Sequence, residues 1–177
     1  MITITLQQIM DAELYSLGWR KVLSANGPDL EKQFPVSSIL DSNGLDDCLW
    51  VLRCLPEYDN LWRKFACWCA LENIELIKPY CADADYSLIL DYLNNPDAAD
   101  ASRSDAVDTA DDSRSDVDTD AAYSAADAAY SAAAYDTARA VYSAADSAAD
   151  SASDSAAERK KQADKLREIL DAGEWIA

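Results

Sequence analysis

The feature that most constrains the fold of this chain is the run from Ala121 to Asp171, which holds no glycine or proline. Its first part consists almost wholly of Ala, Ser, Asp and Tyr. On a helix with about 100° per residue, small apolar and aromatic residues share one face at 7-4-7-4 spacing. These are Tyr123, Tyr130, Ala134, Val141, Ala145, Ala152, Ala156, Ala163 and Leu170. An 11-residue repeat is typical of nearly straight, packed helices, and we predict one helix from about Asp120 to Ala172, about 80 Å long.

The opposite face of this predicted helix carries carboxylates. Its members are Asp136, Asp146, Asp150, Asp154 and Glu158, the last four at every fourth residue. Successive members of that row lie about 6 Å apart along the axis, whereas DNA carries a phosphate about every 3.4 Å along each strand. A second acidic row is formed by Asp105, Asp108, Asp111, Asp116, Asp118 and Asp120. The alternative interpretation is that these acids only solvate an alanine-rich helix.

The segment before the alanine-rich run contains a near-repeat, because Ser102-Arg103-Ser104-Asp105 recurs 11 residues later as Ser113-Arg114-Ser115-Asp116. Its small-residue face does not continue into the Tyr123 face, since the helical phase jumps by about 240° between Val117 and Tyr123. Residues 111–120 are rich in Asp and Ser, which favour caps and turns. We predict a break there that forms a helical hairpin, with disorder of residues 100–120 as the alternative.

Residues 1–95 have the pattern of a compact helical domain, and they hold four of the five Trp and both Phe. Asn26-Gly27-Pro28 and Asn43-Gly44 predict helix boundaries. We therefore predict an all-α fold in which this domain is followed by long Ala/Asp-rich helices. The predicted divisions are a domain over 1–95, an acidic helix or turn region over 96–120, and an amphipathic helix over 121–177. Gly173 is a suitable residue to end that helix, and Trp175 and Ile176 are expected to fold back as an anchor.

The composition argues against most catalytic sites. The formal net charge is −18, no histidine is present, and four glycines leave no phosphate-binding loop. The five cysteines lie mostly in apolar segments, as core thiols do. Cys67 and Cys69 lack the usual spacing of zinc ligands. The run from Asp116 to Asp120 lacks the glycine and glutamate of a calcium-binding loop, although weak divalent-ion binding stays open. We expect no enzymatic activity and no cofactor.

The N-terminal sequence MITITLQQIM lacks the basic start and long apolar run of a secretory signal. No stretch approaches the ~18 apolar residues of a membrane span. We therefore expect a cytoplasmic protein that does not bind membranes. Its strong negative charge also predicts that it does not bind nucleic acid directly and that it suits a basic partner.

Two resemblances add to these expectations. The run PVSSILDSNGLDDCLWVLRCLPEYDNLWRKFACWCA and the ending KQADKLREILDAGEWI resemble small uncharacterised helical proteins of tailed phages and prophages, and are similar to putative immunity proteins with alanine-rich helices. No functional residues follow from that likeness. The acidic helical character resembles the phage DNA mimics that block restriction or CRISPR enzymes. This second likeness is one of composition and has no motif.

The function that these observations favour is inhibition of a host restriction or CRISPR system by an acidic DNA mimic. It would bind a basic DNA-binding protein of the host through the two acidic rows, with Tyr135 and Tyr142 as further contacts, since Tyr is enriched at interfaces. Two other functions stay open. One is an immunity protein that neutralises a toxin through residues 1–95, and the other is a structural module. A homodimer through the alanine-rich face is also open.

Overall fold

The computed structural model is all-α apart from one pair of short strands. It describes residues 1–12, 18–97, 100–134 and 137–176, with the backbone alone at residues 100, 101, 116, 137 and 138. The α-helices are α1 (Leu6–Asp11), α2 (Trp19–Asn26), α3 (Ser37–Asn43), α4 (Leu45–Val51), α5 (Asp59–Leu71), α6 (Asp83–Asn94), α7 (Asp100–Asp116), α8 (Asp120–Ala134), α9 (Thr137–Ser151) and α10 (Ser155–Ala172). Short 3₁₀ helices cover Leu52–Cys54, Pro56–Tyr58 and Ile74–Tyr80. The strands are β1 (Thr3–Ile4) and β2 (Phe34–Pro35).

The chain divides into two compact units. The terminal unit comprises Met1–Leu61 together with Lys160–Ala177, and the central unit comprises Trp62–Arg159. The predicted boundaries at 95/96 and 120/121 differ from this division. The predicted boundaries were placed where the amino-acid composition changes. The two units are defined instead by packing between segments that are distant in the chain.

In the terminal unit, β1 and β2 pair antiparallel, with Thr3 opposite Pro35. Ile2, Ile4 and Leu6 are buried, because alternate residues of this edge face the core. Glycine ends two of the helices as the sequence predicts. Gly27 and Gly44 follow α2 and α3 with φ of 84° and 93°, values that favour glycine over residues with a side chain.

The C-terminal segment completes the same unit. The Ile2 amide donates a hydrogen bond of 2.7 Å to the carbonyl of Leu170, and Leu166, Ile169 and Leu170 of α10 are fully buried. Gly173 ends α10 with φ of 85°. Beyond it the tail folds back on α10, since Lys165 Nζ lies 5.1 Å from the centre of the Trp175 ring, but Ile176 of the predicted anchor is 37% exposed.

At the core of the central unit lies α8, which packs against α9, α7, α6 and the 3₁₀ helix Ile74–Tyr80. Eight of its residues are buried, namely Ala122, Ala125, Ala126, Ala128, Ala129, Ser131, Ala132 and Ala133. A helix buried on most of its circumference by alanine allows neighbouring helices to approach closely. The alanine-rich sequence of α8 therefore forms part of the core of the central unit and is not surrounded by solvent.

The prediction of one continuous helix from Asp120 to Ala172 is wrong, because three helices occupy that range. Ser147 Oγ of α9 donates a hydrogen bond of 2.8 Å to Asp127 Oδ2 of α8. In a continuous helix these residues would lie about 30 Å apart. The chain therefore reverses between α8 and α9, and the two helices form an antiparallel hairpin.

A second interruption separates α9 from α10 at residues 152–154. Asp154 is the N-cap of α10, because its Oδ1 accepts a hydrogen bond of 3.0 Å from the amide of Ala157. The Ser and Asp residues at this point offer the backbone an alternative to helix. They end α9 although no glycine or proline is present.

The structure has the predicted break before the alanine-rich run. α7 ends at Asp116 and α8 begins at Asp120, and Thr119 Oγ1 accepts a hydrogen bond of 3.2 Å from the amide of Ala122 as the N-cap of α8. α7 and α8 pack as an antiparallel pair, because Arg103 contacts the end of α8 while Arg114 contacts its middle. Residues 100–116, for which disorder was the alternative, form α7.

Candidate interaction surface

The two sides of α7 differ in charge. Its basic residues, Arg103 and Arg114, are 11 positions apart and so lie within about 20° of each other around the helix axis. Both are turned towards α8, on the same side as the buried Ala106 and Ala110. The near-repeat of the sequence therefore places two cations on the inner side of one helix.

Arg103 stabilises the end of α8. Its Nε donates a hydrogen bond of 2.6 Å to the carbonyl of Ala133, and Arg63 Nη1 of α5 donates one of 2.5 Å to the carbonyl of Ala132. The last four carbonyls of a helix have no partner within the helix, and cations are favourable there because of the helix dipole. These arginines thus satisfy the C-terminal carbonyls of a helix that is buried on most sides.

Arg114 connects α7 to the middle of α8. Its Nε lies 3.2 Å from Asp127 Oδ1, at the distance of an ion pair but without hydrogen-bond alignment. Its guanidinium lies 4.5 Å from the centre of the Tyr130 ring, and Nη2 donates a hydrogen bond of 3.3 Å to the hydroxyl of Tyr123. Burial is the largest single influence on the pKa of Arg114, and it lowers that pKa. The hydrogen bond with Tyr123 and the nearby charges of Asp127 and Asp111 together outweigh burial, so that the pKa of Arg114 is raised.

The outer side of α7 carries carboxylates without a cation among them. Asp105, Asp108 and Asp112 are exposed, and their spacing places them within about 60° of one another on the helix. The predicted second acidic row does not include Asp112, although Asp112 follows Asp105 by seven residues and so lies on the same side of a helix. Asp111 is exposed on the edge of this side, where it forms an ion pair of 3.2 Å with Arg114.

Two more exposed aspartates follow α7 in the chain. Asp118 lies in the connection to α8, and Asp120 is the first residue of α8. We call Asp105, Asp108, Asp112, Asp118 and Asp120 the α7 acidic surface.

The first predicted row is not one array in the structure. Asp146 and Asp150 are exposed on α9, but the exposed Arg139 lies on the same side of that helix. Desolvation raises the pKa of Asp146, and the negative charge of Asp150 adds to that effect. α9 therefore presents carboxylates together with a cation, unlike α7.

The prediction that Asp154 and Glu158 belong to an exposed acidic row on one helix is wrong. Asp154 is the N-cap of α10. Glu158 is only 9% exposed, and it lies in the first turn of α10, where the helix dipole favours an anion. The regular four-residue spacing is broken because the helix is interrupted between Asp150 and Glu158.

Asp136 and Tyr135 lie outside the described residues, and of Asp116 the structure describes the backbone alone. Tyr142 is half-buried. Tyr123 belongs to the face whose 7-4-7-4 spacing is typical of packed helices, but its side chain is 45% exposed. Ala122 and Ala126 of the buried side both lie on the same side of Tyr123, about 100° and 60° from it around the helix axis.

All five cysteines are free thiols. Cys48, Cys67 and Cys69 are buried, in agreement with core thiols. Burial raises the pKa of both Cys48 and Cys67 to about 12, so they are protonated near neutral pH. Among the residues that the structure describes, no group of three or more Cys, Asp or Glu side chains is placed to hold a metal ion.

Negative charge is concentrated in the central unit. Residues 62–159 contain 20 acidic and 7 basic residues, a net charge of −13 out of the −18 of the chain. Within the described ranges, no helix combines the length and hydropathy that a membrane span requires. The chain matches no protein-family model, no curated protein and no solved structure.

Proposed function

We propose that the protein binds a basic, DNA-handling protein through the α7 acidic surface and competes there with DNA. The target class that we propose is a restriction or CRISPR enzyme of a host cell, and the protein would act as a phage-type inhibitor. Carboxylates would occupy the positions of phosphates in a Lys/Arg-lined channel. Association would be fast, because complementary charge steers the encounter.

The observation that carries this proposal is the separation of charge across α7. Arg103 and Arg114 contact α8, while Asp105, Asp108 and Asp112 face outward. Solubility alone does not require that both arginines of α7 lie on the side that faces α8, because charges of both signs on the exposed side would also keep the helix soluble. The outer side of α9, with Arg139 beside Asp146, lacks this separation, and we therefore place the binding surface on α7.

Short carboxylate side chains also favour a fixed charge pattern. An aspartate holds its charge closer to the helix backbone than a glutamate does, although aspartate is the poorer helix former. Every outward acid of α7 is aspartate. Aspartate therefore lowers the helix propensity of α7 and, at the same time, fixes the position of each charge more closely.

The proposal is tested with a captured target. The protein is used to isolate its binding partner from host cells, and the partner is then titrated with a labelled DNA duplex in the presence of the protein. We expect displacement of the duplex, with an affinity that falls steeply as salt concentration rises. A triple variant with Asp105→Asn, Asp108→Asn and Asp112→Asn should lose the displacement.

The matched control neutralises three exposed aspartates elsewhere in the central unit, by Asp83→Asn, Asp85→Asn and Asp91→Asn on α6. It removes the same charge and should keep most of the affinity. Equal loss in both triple variants would show a dependence on net charge alone, and full activity of the α7 variant would contradict the proposal. Binding of a toxin with little salt dependence, unchanged by either variant, would identify an immunity protein.

A further inference from the structure

Tyr123 is an exposed aromatic residue at the border of the α7 acidic surface. It lies in the first turn of α8 and is 45% exposed. Its hydroxyl accepts a hydrogen bond of 3.3 Å from Arg114 Nη2, and Nη1 of the same guanidinium lies 3.2 Å from Asp111 Oδ1. Because Asp111 stands on the edge of the outer side of α7, this one arginine joins Tyr123 to that edge.

Arg114 contacts its two neighbouring tyrosines in different ways. The guanidinium carbon lies 4.5 Å from the centre of the Tyr130 ring but 5.7 Å from the centre of the Tyr123 ring. The hydrogen bond from Nη2 to the hydroxyl places the guanidinium towards the hydroxyl end of Tyr123. Tyr130 is half-buried beneath this cation, whereas much of the Tyr123 ring stays open to solvent.

Two carboxylates flank Tyr123 on its own helix. Asp120 precedes it by three residues and Asp127 follows it by four, so both lie within about 60° of it around the helix axis. With Asp111, three carboxylates surround the ring and its hydroxyl, and the cation among these groups is Arg114. The exposed ring therefore stands in surroundings that are negative on balance and suit a second cation.

We propose that the Tyr123 ring stacks against an arginine side chain of the basic partner, whose guanidinium also pairs with Asp120. The inference rests on the proposed function, because it names a contact and a preference of the same binding surface. A planar guanidinium stacks on an aromatic ring and bonds a carboxylate through its edge, whereas a lysine ammonium is a strongly hydrated point charge. Tyr123 would thus make the surface prefer arginine to lysine.

The aromatic ring is needed for this discrimination because long-range charge does not supply it. The carboxylates of α7 attract any cation, whether it belongs to arginine or lysine. Tyrosine and arginine are also among the residue types that contribute most binding energy at protein interfaces. The α7 acidic surface would therefore steer the partner, and Tyr123 would hold one of its arginines.

The first test uses hexa-arginine and hexa-lysine peptides as probes of the full chain at low salt. Fluorescence anisotropy gives the dissociation constant of each labelled peptide, and their ratio is the readout. Arginine pairs with carboxylates better than lysine does, so the informative quantity is the change of this ratio on substitution. We expect Tyr123→Leu to reduce the preference for hexa-arginine about two- to fivefold, as for an exposed cation–π contact.

Three controls accompany this titration. Tyr123→Phe keeps the ring and should keep the preference. Leu88→Ala removes an apolar side chain of α6 that is 44% exposed, and it should leave the ratio unchanged. The triple variant with Asp105→Asn, Asp108→Asn and Asp112→Asn should weaken the binding of both peptides by a similar factor.

Two results would overturn the proposal. One is an unchanged ratio in Tyr123→Leu, and the other is an equal loss in Tyr123→Phe, which would assign the effect to the hydroxyl and its bond with Arg114. Should Tyr123→Leu fail to fold, fluorine NMR of the wild-type chain with fluorotyrosine decides. The Tyr123 resonance, assigned with Tyr123→Phe, should shift more with hexa-arginine than with hexa-lysine, and equal shifts would count against the stacking.

The captured target separates this proposal from the proposed function. Tyr123→Leu should weaken binding of the target at least about fivefold, as expected for a residue that dominates an interface, with the salt dependence unchanged. If the α7 triple variant loses the displacement of DNA while Tyr123→Leu binds as the wild type does, the proposed function stands and the Tyr123 contact is refuted. The reverse pattern would keep the Tyr123 contact and refute the α7 acidic surface.

Discussion

Asp127 joins three helices through contacts with two residues, for it accepts a hydrogen bond of 2.8 Å from Ser147 of α9 and forms an ion pair of 3.2 Å with Arg114 of α7. Asp127 itself belongs to α8. Its side chain is 28% exposed and that of Arg114 is 23% exposed, so solvent screens this pair less than a surface pair. In a core of alanines, it is a specific polar contact that fixes the register of neighbouring helices.

Removal of this contact should destabilise the central unit. We expect Asp127→Ala to lower the free energy of unfolding by about 1–3 kcal/mol, because it removes the acceptor of the Ser147 hydroxyl and one of the two carboxylates beside the partly buried Arg114. Asp127→Asn keeps an acceptor for Ser147 and should cost less. Urea denaturation followed by circular dichroism measures both. The exposed control Asp112→Ala should stay within about 0.5 kcal/mol of the wild type, and an equal loss in the control would contradict this role of Asp127.

The close packing of α8 predicts intolerance to larger side chains. Ala126 is fully buried, and we expect Ala126→Leu to cost about 1–3 kcal/mol through overpacking. The thermal unfolding midpoint is the measurement. Ala121→Leu, at an exposed position of the same helix, is the control and should change the midpoint little. A stable Ala126→Leu variant would show that α8 is not enclosed as described.

Asp154 allows its role as a helix cap to be separated from its charge. Asp154→Ala should lower the stability by about 0.5–2 kcal/mol, whereas Asp154→Asn should be close to neutral, because Asn and Asp are comparable N-caps. Chemical denaturation of both variants distinguishes the two effects. If both variants lost stability equally, the contribution of Asp154 would come from its charge.

The raised pKa of Asp146 predicts a pH-dependent penalty on stability. A carboxyl whose pKa is higher in the folded chain than the usual 3.8 binds protons more tightly when folded. Ionised Asp146 therefore destabilises the fold near neutral pH, and the penalty disappears as the pH falls through the raised pKa. We expect Asp146→Asn to stabilise the protein by about a few tenths of a kcal/mol at neutral pH, because the amide has no charge to desolvate and none to repel Asp150, four residues away. The gain should vanish in acid. A gain that is independent of pH would contradict this explanation.

Local sequence patterns predicted the helix ends well. Gly27, Gly44 and Gly173 each follow a helix with positive φ, and the Asp/Ser-rich run before Asp120 contains the break between α7 and α8. These boundaries depend on residues within a few positions of each other. The sequence therefore contains the physical cause of each boundary next to the boundary itself.

The hairpin of α8 and α9 could not be predicted in the same way. The 7-4-7-4 spacing of the sequence continues from α8 into α9 through Val141 and Ala145, so that one long helix and two packed helices give the same periodic pattern. What distinguishes them is contact between distant residues, such as Asp127 with Ser147. The same limit applies to the acids, because spacing around a helix did not show that Asp127 and Glu158 are partly or wholly buried while Asp112 is exposed.

The alanine core has a consequence for the electrostatic field outside the protein. Distances between packed helix axes run from about 8 to 10 Å and depend on the side chains at the contact, and alanine favours the lower end of that range. α7 and α9 both pack on α8, so the carboxylates on their outer sides belong to a thinner bundle than leucine would give. The same number of charges is then spread over a smaller circumference. In this protein, the smallest apolar side chains of the interior raise the density of negative charge on the exterior.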